Sequence, residues 1–108
     1  MGFVYLLLET DKNGDERHKI GITKNPVEKR IKQLQTGNSN VITLLHSYKT
    51  EHYRNVEKML HNKFINQKTE TKNEWFYLED EQVLGFLKTC AELNERVILL
   101  KENNPFYK

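Results

Sequence analysis

Apolar residues fill positions 3–8 (Phe3-Val4-Tyr5-Leu6-Leu7-Leu8) without a polar break, and polar residues follow at once. A run of that length predicts a buried strand. Asn13-Gly14 comes next, a dipeptide suited to a hairpin turn. Residues 17–23 then read as the returning strand. Ile20 and Ile22 share one face of it, and Lys19 and Gly21 share the other.

The period then lengthens. Val27, Ile31 and Leu34 recur at helical spacing. Asn25 is placed to cap this helix, Pro26 suits the first helical position, and Glu28 stands where a capping-box acid belongs. Gly37 suits its end, so the helix is expected over residues 26–36. Residues 38–40 read as a loop and 41–48 as a third strand. Thr50 is placed to cap a second helix reaching residue 64, with Tyr53, Val56, Leu60 and Phe64 as its core stripe. Residues 66–73 are polar and read as a loop, and 74–78 return to the core through Trp75, Phe76 and Tyr77. A third helix is expected over 80–94, and the apolar stretch 97–100 is expected to pack back on the domain. The order is β-β-α-β-α-α. The fold class is α+β, a small three-stranded antiparallel sheet flanked by helices.

Composition narrows this picture. A chain of 108 residues makes one domain, and 37% hydrophobic residues give it a modest core. Seventeen basic residues against fifteen acidic ones leave a net charge of only +2, so any nucleic-acid affinity must come from local clustering. The single cysteine, Cys90, excludes an internal disulfide and a cysteine-rich zinc site, and it falls in a helical pattern with Leu87 and Leu93 as a packing residue. No stretch has the apolar length of a transmembrane helix. The expectation is a soluble protein of a reducing compartment: cytoplasmic, inside a host cell if phage or viral, with the nucleus left open.

The sequence carries an ordered set of motifs. Phe3-Val4-Tyr5 lies on the first strand and Lys19-Ile20-Gly21 on the second. A capped helix bearing Arg30 follows, and a later helix bears Glu57. This set resembles the GIY-YIG nuclease superfamily, with Phe3 in place of its first glycine and Lys19 in place of its second tyrosine. Glu57-Lys58-Met59-Leu60-His61, Phe64 and Glu74-Trp75-Phe76 are further similar to a compact phage- and virus-associated, DNA-binding branch. The resemblance covers residues 2–78 and leaves 79–108 as a C-terminal helix and tail.

The resemblance implies a DNA endonuclease dependent on Mg2+ or Mn2+. It maps the catalytic roles to Tyr5, Arg30 and Glu57. Glu57 offers a hard oxygen ligand, sufficient when waters and substrate phosphate complete the shell. Arg30 offers a permanent positive fork for phosphate. Tyr5 can accept a proton from water if nearby positive charge favours its ionised form, and Lys19 on the neighbouring strand can provide that charge. His61 lies one helical turn after Glu57, on the same face, where it can orient the glutamate, contact phosphate or move a proton. Each residue also has a plain reading: Tyr5 as core, Glu57 and His61 as a surface pair, and Arg30 and Lys19 as solvated charges. His46 and His52 have no ligand spacing and read as structural or surface residues.

Lys24, Lys29, Arg30 and Lys32 cluster near the start of the first helix against only Glu28, a patch suited to nucleic-acid backbone. Asn38 and Asn40 follow on the loop after it, and Lys68 and Lys72 lie on the later loop. The expected partner is DNA, duplex or branched, with RNA left open and no membrane. A homodimer or a targeting partner would complete it. Two other functions compete: a non-catalytic DNA-binding module on the same scaffold, and a protein-interaction accessory factor.

Overall fold

A computed structural model describes residues 1–69 and 75–103 of the chain. Strands β1 (Gly2–Thr10) and β2 (Glu16–Thr23) form the expected hairpin. Helix α1 (Val27–Gln35), strand β3 (Val41–Thr50) and helix α2 (Tyr53–Lys63) follow. A short 3-10 turn (Ile65–Gln67) leads to β4 (Trp75–Phe76), then α3 (Asp80–Leu84) and α4 (Phe86–Asn103). The class is α+β as expected, but the sheet has four antiparallel strands, in the order β3-β1-β2-β4. Two residues of β4 pair with His18 and Lys19, too short a stretch for alternation to register in sequence.

β1 is central and covered on both sides, which is why its apolar run is unbroken. Tyr5 and Leu7 meet Val27 and Ile42, with Ile31, Leu34 and Leu44 beside them, so α1 covers this face. Val4 and Leu6 meet Ile20, Val56, Leu60, Phe64, Phe86 and Cys90 on the other, under α2 and α4. A bulge between β1 and β3 adds one residue to β3 near Leu45 and keeps both faces in register.

Turns follow their chemistry. Gly14 and Gly37 both adopt positive φ, 83° and 76°, as a hairpin tip and a helix end require. The Asp11 carboxylate accepts the N–H groups of Asn13 and Asp15 and closes the hairpin loop. The expected caps move. Pro26 is itself the first boundary residue of α1, and the N–H of Asn25 donates to the Thr23 hydroxyl. Thr50 stays in β3, where its hydroxyl accepts the His52 N–H and donates to Asn94 Oδ1. Local turn geometry outcompetes both caps.

The expected helix over 80–94 divides at Gly85, and α4 continues to Asn103 instead of stopping at Asn94. The stretch 97–100 is therefore helical. Val97 is buried, whereas Leu99 and Leu100 are exposed. Cys90 is buried as expected, and burial pushes its thiol up to about 12. His46 accepts the structural role expected of it: Nε2 donates to the Val83 carbonyl and the ring stacks on Phe86. No helix among the described residues is long and apolar enough to cross a membrane.

Gln35 fixes α1 to β3. Its Nε2 donates to the carbonyls of Asn38 (3.1 Å) and Asn40 (2.8 Å), and its Oε1 accepts the Ile42 N–H at 3.0 Å. Gln35→Ala leaves three backbone groups without that partner and is expected to destabilise by about 1–3 kcal/mol. Gln33→Ala, on the exposed side of the same helix, should stay within about 0.5 kcal/mol. Urea denaturation of the two variants checks the contrast.

Candidate active site

Residues directly opposite each other in an antiparallel pair point to the same face. Tyr5 stands opposite Gly21, Leu7 opposite Lys19 and Glu9 opposite Arg17. These positions share the face that α1 covers over β1 and β3. Tyr5 is 1% exposed, and its ring lies across Gly21. A β-carbon on Gly21 would stand 2.6 Å from Tyr5 Cζ and 2.9 Å from Cε1, inside any real contact. Lys19 is buried on the same face, diagonal to Tyr5.

His18 lies on the opposite face, paired with Phe76. Burial pushes its pKa down, against the smaller opposing pull of Glu16 and Asp80. Its Nδ1 accepts the Leu78 N–H at 3.3 Å, so it holds the chain beyond β4 as a neutral ring. Of the two residues at the altered second motif, Lys19 is thus the one on the Tyr5 side.

Arg30 is placed by helical geometry. At about 100° per residue, Val27, Ile31 and Leu34 form the stripe packed on the sheet. Gln35 lies on the flank that bonds β3, and Arg30, half-buried, lies on the opposite flank, turned toward β2. Lys24, Lys29 and Lys32 are exposed around the same helix.

Glu57 and His61 come from α2, on the other side of the sheet. Val56 and Leu60 point into the core, and Met59 and Lys63 border α4 on one flank. Glu57 and His61 occupy the other flank. There His61 Nε2 donates to the Ile20 carbonyl at 3.0 Å, and its ring meets Phe76 edge-on at 5.0 Å. β4 pairs only with His18 and Lys19, so β2 runs on past it and His61 seals α2 against the strand at Ile20. Tyr5 lies over Gly21 on one face of β2, and His61 reaches the Ile20 carbonyl from the other.

No group of three or more His, Cys, Asp or Glu that could hold a metal ion exists among the described residues. A zinc-type protein cage does not fit. A single half-buried carboxylate, Glu57, fits a hard cation that keeps waters and takes oxygens from a phosphate.

Glu9 and Arg17, two residues of this region, escaped the sequence reading. Glu9 is 4% exposed and receives Arg17 Nε at 2.6 Å and Asn38 Nδ2 at 3.2 Å. The Arg17 guanidinium lies 4.1 Å from the centre of the Trp75 ring, and Lys19 Nζ lies 5.4 Å from it. Glu9 and Arg17 are equidistant from the hairpin turn, which is the signal that could have paired them. Asn38 also accepts the Asn40 N–H through Oδ1, so its amide ties the loop to Glu9 of β1. Lys68 is half-buried, and its backbone bridges to Phe76. Lys72 lies outside the described residues.

A protein-family model described as T5orf172 domain matches residues 2–91. The chain belongs to the T5orf172 domain family. No curated protein and no solved structure matches it.

Two stability outcomes follow from the contacts. Gly21→Ala drives a methyl group into the Tyr5 ring, and its thermal unfolding should show a loss of about 1–3 kcal/mol. Burial alone would raise the Glu9 carboxyl, but Arg17, Asn38 and Asn40 outweigh it and hold the carboxyl below its ordinary 4.5. The folded state therefore binds this proton less readily than the unfolded chain. The contribution is complete above about pH 4.5 and is lost as pH falls through the lower folded value. Urea titrations between about pH 3 and pH 6 should show this slope in the wild type and a flatter one in Glu9→Gln.

Proposed function

We propose that this T5orf172-domain chain is a divalent-metal-dependent endonuclease of the GIY-YIG type, hydrolysing phosphodiester bonds in DNA. The seat of Tyr5 carries the reading. Its polar end lies over a β2 residue without a side chain and diagonal to a buried lysine.

In this reading Tyr5 accepts the proton that water gives up as its oxygen bonds to phosphorus, while the P–O bond to the sugar oxygen breaks and that oxygen takes a proton from solvent. The Lys19 ammonium favours the phenolate that does so, whose ordinary pKa is about 10. Arg30 pairs with the phosphate through its planar fork. Glu57 holds Mg2+ or Mn2+, which neutralises phosphate charge when bound. His61 is a positioning residue: its bond to the Ile20 carbonyl holds the Glu57 turn of α2 against β2. Lys24, Lys29 and Lys32 contact the nucleic-acid backbone along α1. Backbone chemistry alone does not choose the sugar, so RNA belongs in the competition assays.

One observation favours a second reading. Lys19 occupies the position where the resemblance expects tyrosine, which suits a non-catalytic DNA-binding module on the same scaffold.

A plasmid-nicking assay separates them. The wild type should nick with Mg2+ and stop on chelation. Glu57→Gln and Tyr5→Phe should lose at least about 100-fold while melting like the wild type. Salt-sensitive binding without cutting under any divalent metal supports the second reading. Unchanged cleavage in purified Glu57→Gln removes that residue from the site. Absence of DNA affinity at low salt leaves the protein-interaction function.

A further inference from the structure

Lys19 is 7% exposed, unusually deep for a lysine. Its side chain is long and has many rotamers, so a defined ammonium position needs a wall to lean on. Trp75 stands opposite Lys19 in the β2–β4 register, and the indole centre lies 5.4 Å from Nζ. The same ring carries the Arg17 guanidinium at 4.1 Å. Arg17 is fixed in turn by the buried Glu9 carboxylate at 2.6 Å. The indole is 8% exposed. Its backbone is held on both edges: β4 pairs with β2, and the Trp75 carbonyl accepts the Thr69 N–H at 2.9 Å. The ring is thus set by the sheet and by a guanidinium that has its own anchor.

We infer that Trp75 is the positioning residue of the site: with Arg17 against it, its indole holds the Lys19 ammonium beside the Tyr5–Gly21 contact. This rests on the nuclease reading of Tyr5 and Lys19. Trp75 acts through Lys19 and touches no reacting atom. A flat aromatic face attracts a cation and limits where it can sit.

The test uses the full chain with two readouts. The first is the NMR position of the Lys19 Hε protons, which an indole face displaces upfield. The displacement should be present in the wild type, reduced in Trp75→Phe and absent in Trp75→Leu. The second is steady-state nicking of plasmid with Mg2+. Trp75→Leu should lower kcat on the order of 10²-fold with KM near the wild-type value, and Trp75→Phe should recover most of it. Lys19 protons at ordinary lysine positions in the wild type overturn the contact, whatever the variants do. A folded Trp75→Leu protein that loses the displacement but keeps its kcat overturns the positioning role. If the wild type cuts DNA under none of the divalent metals tried, the nuclease reading falls, and the Lys19 displacement alone decides whether Trp75 holds the lysine.

Discussion

Tyr5 can lie across β2 because residue 21 has no side chain there. A β-carbon at that position would overlap the ring, so the pair Tyr5–Gly21 is one steric unit spread over two strands. The hairpin register follows from it. A slip of one residue would put Ile20 or Ile22 under the tyrosine and turn Lys19 to the other face. The same register brings Leu7 opposite Lys19 and Glu9 opposite Arg17, so the chemistry of the face descends from a single fit.

The sheet then explains why so small a domain can gather its polar groups. β1 is buried on both sides, and the Tyr5 ring leaves it by lying across β2 at Gly21. β2 is different, because α1 covers β1 and β3 on one face while α2 lies over β1 and β2 on the other. Polar side chains on β2 are roofed by Trp75 rather than by a helix. Glu9, Arg17, Trp75 and Lys19 form a continuous file along that roof, from a buried carboxylate to a buried ammonium. His61 closes the opposite face at Ile20 and carries the Glu57 turn with it.

Much of this was legible in the sequence because it is periodic or local. The hairpin, the stripes of α1 and α2, the packing role of Cys90 and the turn glycines Gly14 and Gly37 all announce themselves within a few residues. The fourth strand did not, since Trp75-Phe76 is too short to alternate. The break at Gly85 and the extension of α4 past Asn94 depend on what the helix packs against. The expected caps failed because the Asn25 N–H turned to the Thr23 hydroxyl and Thr50 stayed in β3, its hydroxyl bonding His52 and Asn94. The Glu9 network is only partly visible: the hairpin turn pairs Glu9 with Arg17, but Asn38 joins from 29 residues away. The ordered set Tyr5, Lys19, Arg30 and Glu57 could be picked out, but not the side of the sheet from which each one arrives.

In the proposed nuclease, nucleic acid engages the protein at residues 19–21 of β2. A titration of the isotopically labelled full chain with a short DNA duplex tests this, using Ca2+ to slow turnover and following backbone amides. The largest shifts are expected at Lys19, Ile20 and Gly21, with Arg30 and Glu57 moving in step and all of them weakening as salt is raised. Shifts confined to exposed Leu99 and Leu100 on α4 would overturn it.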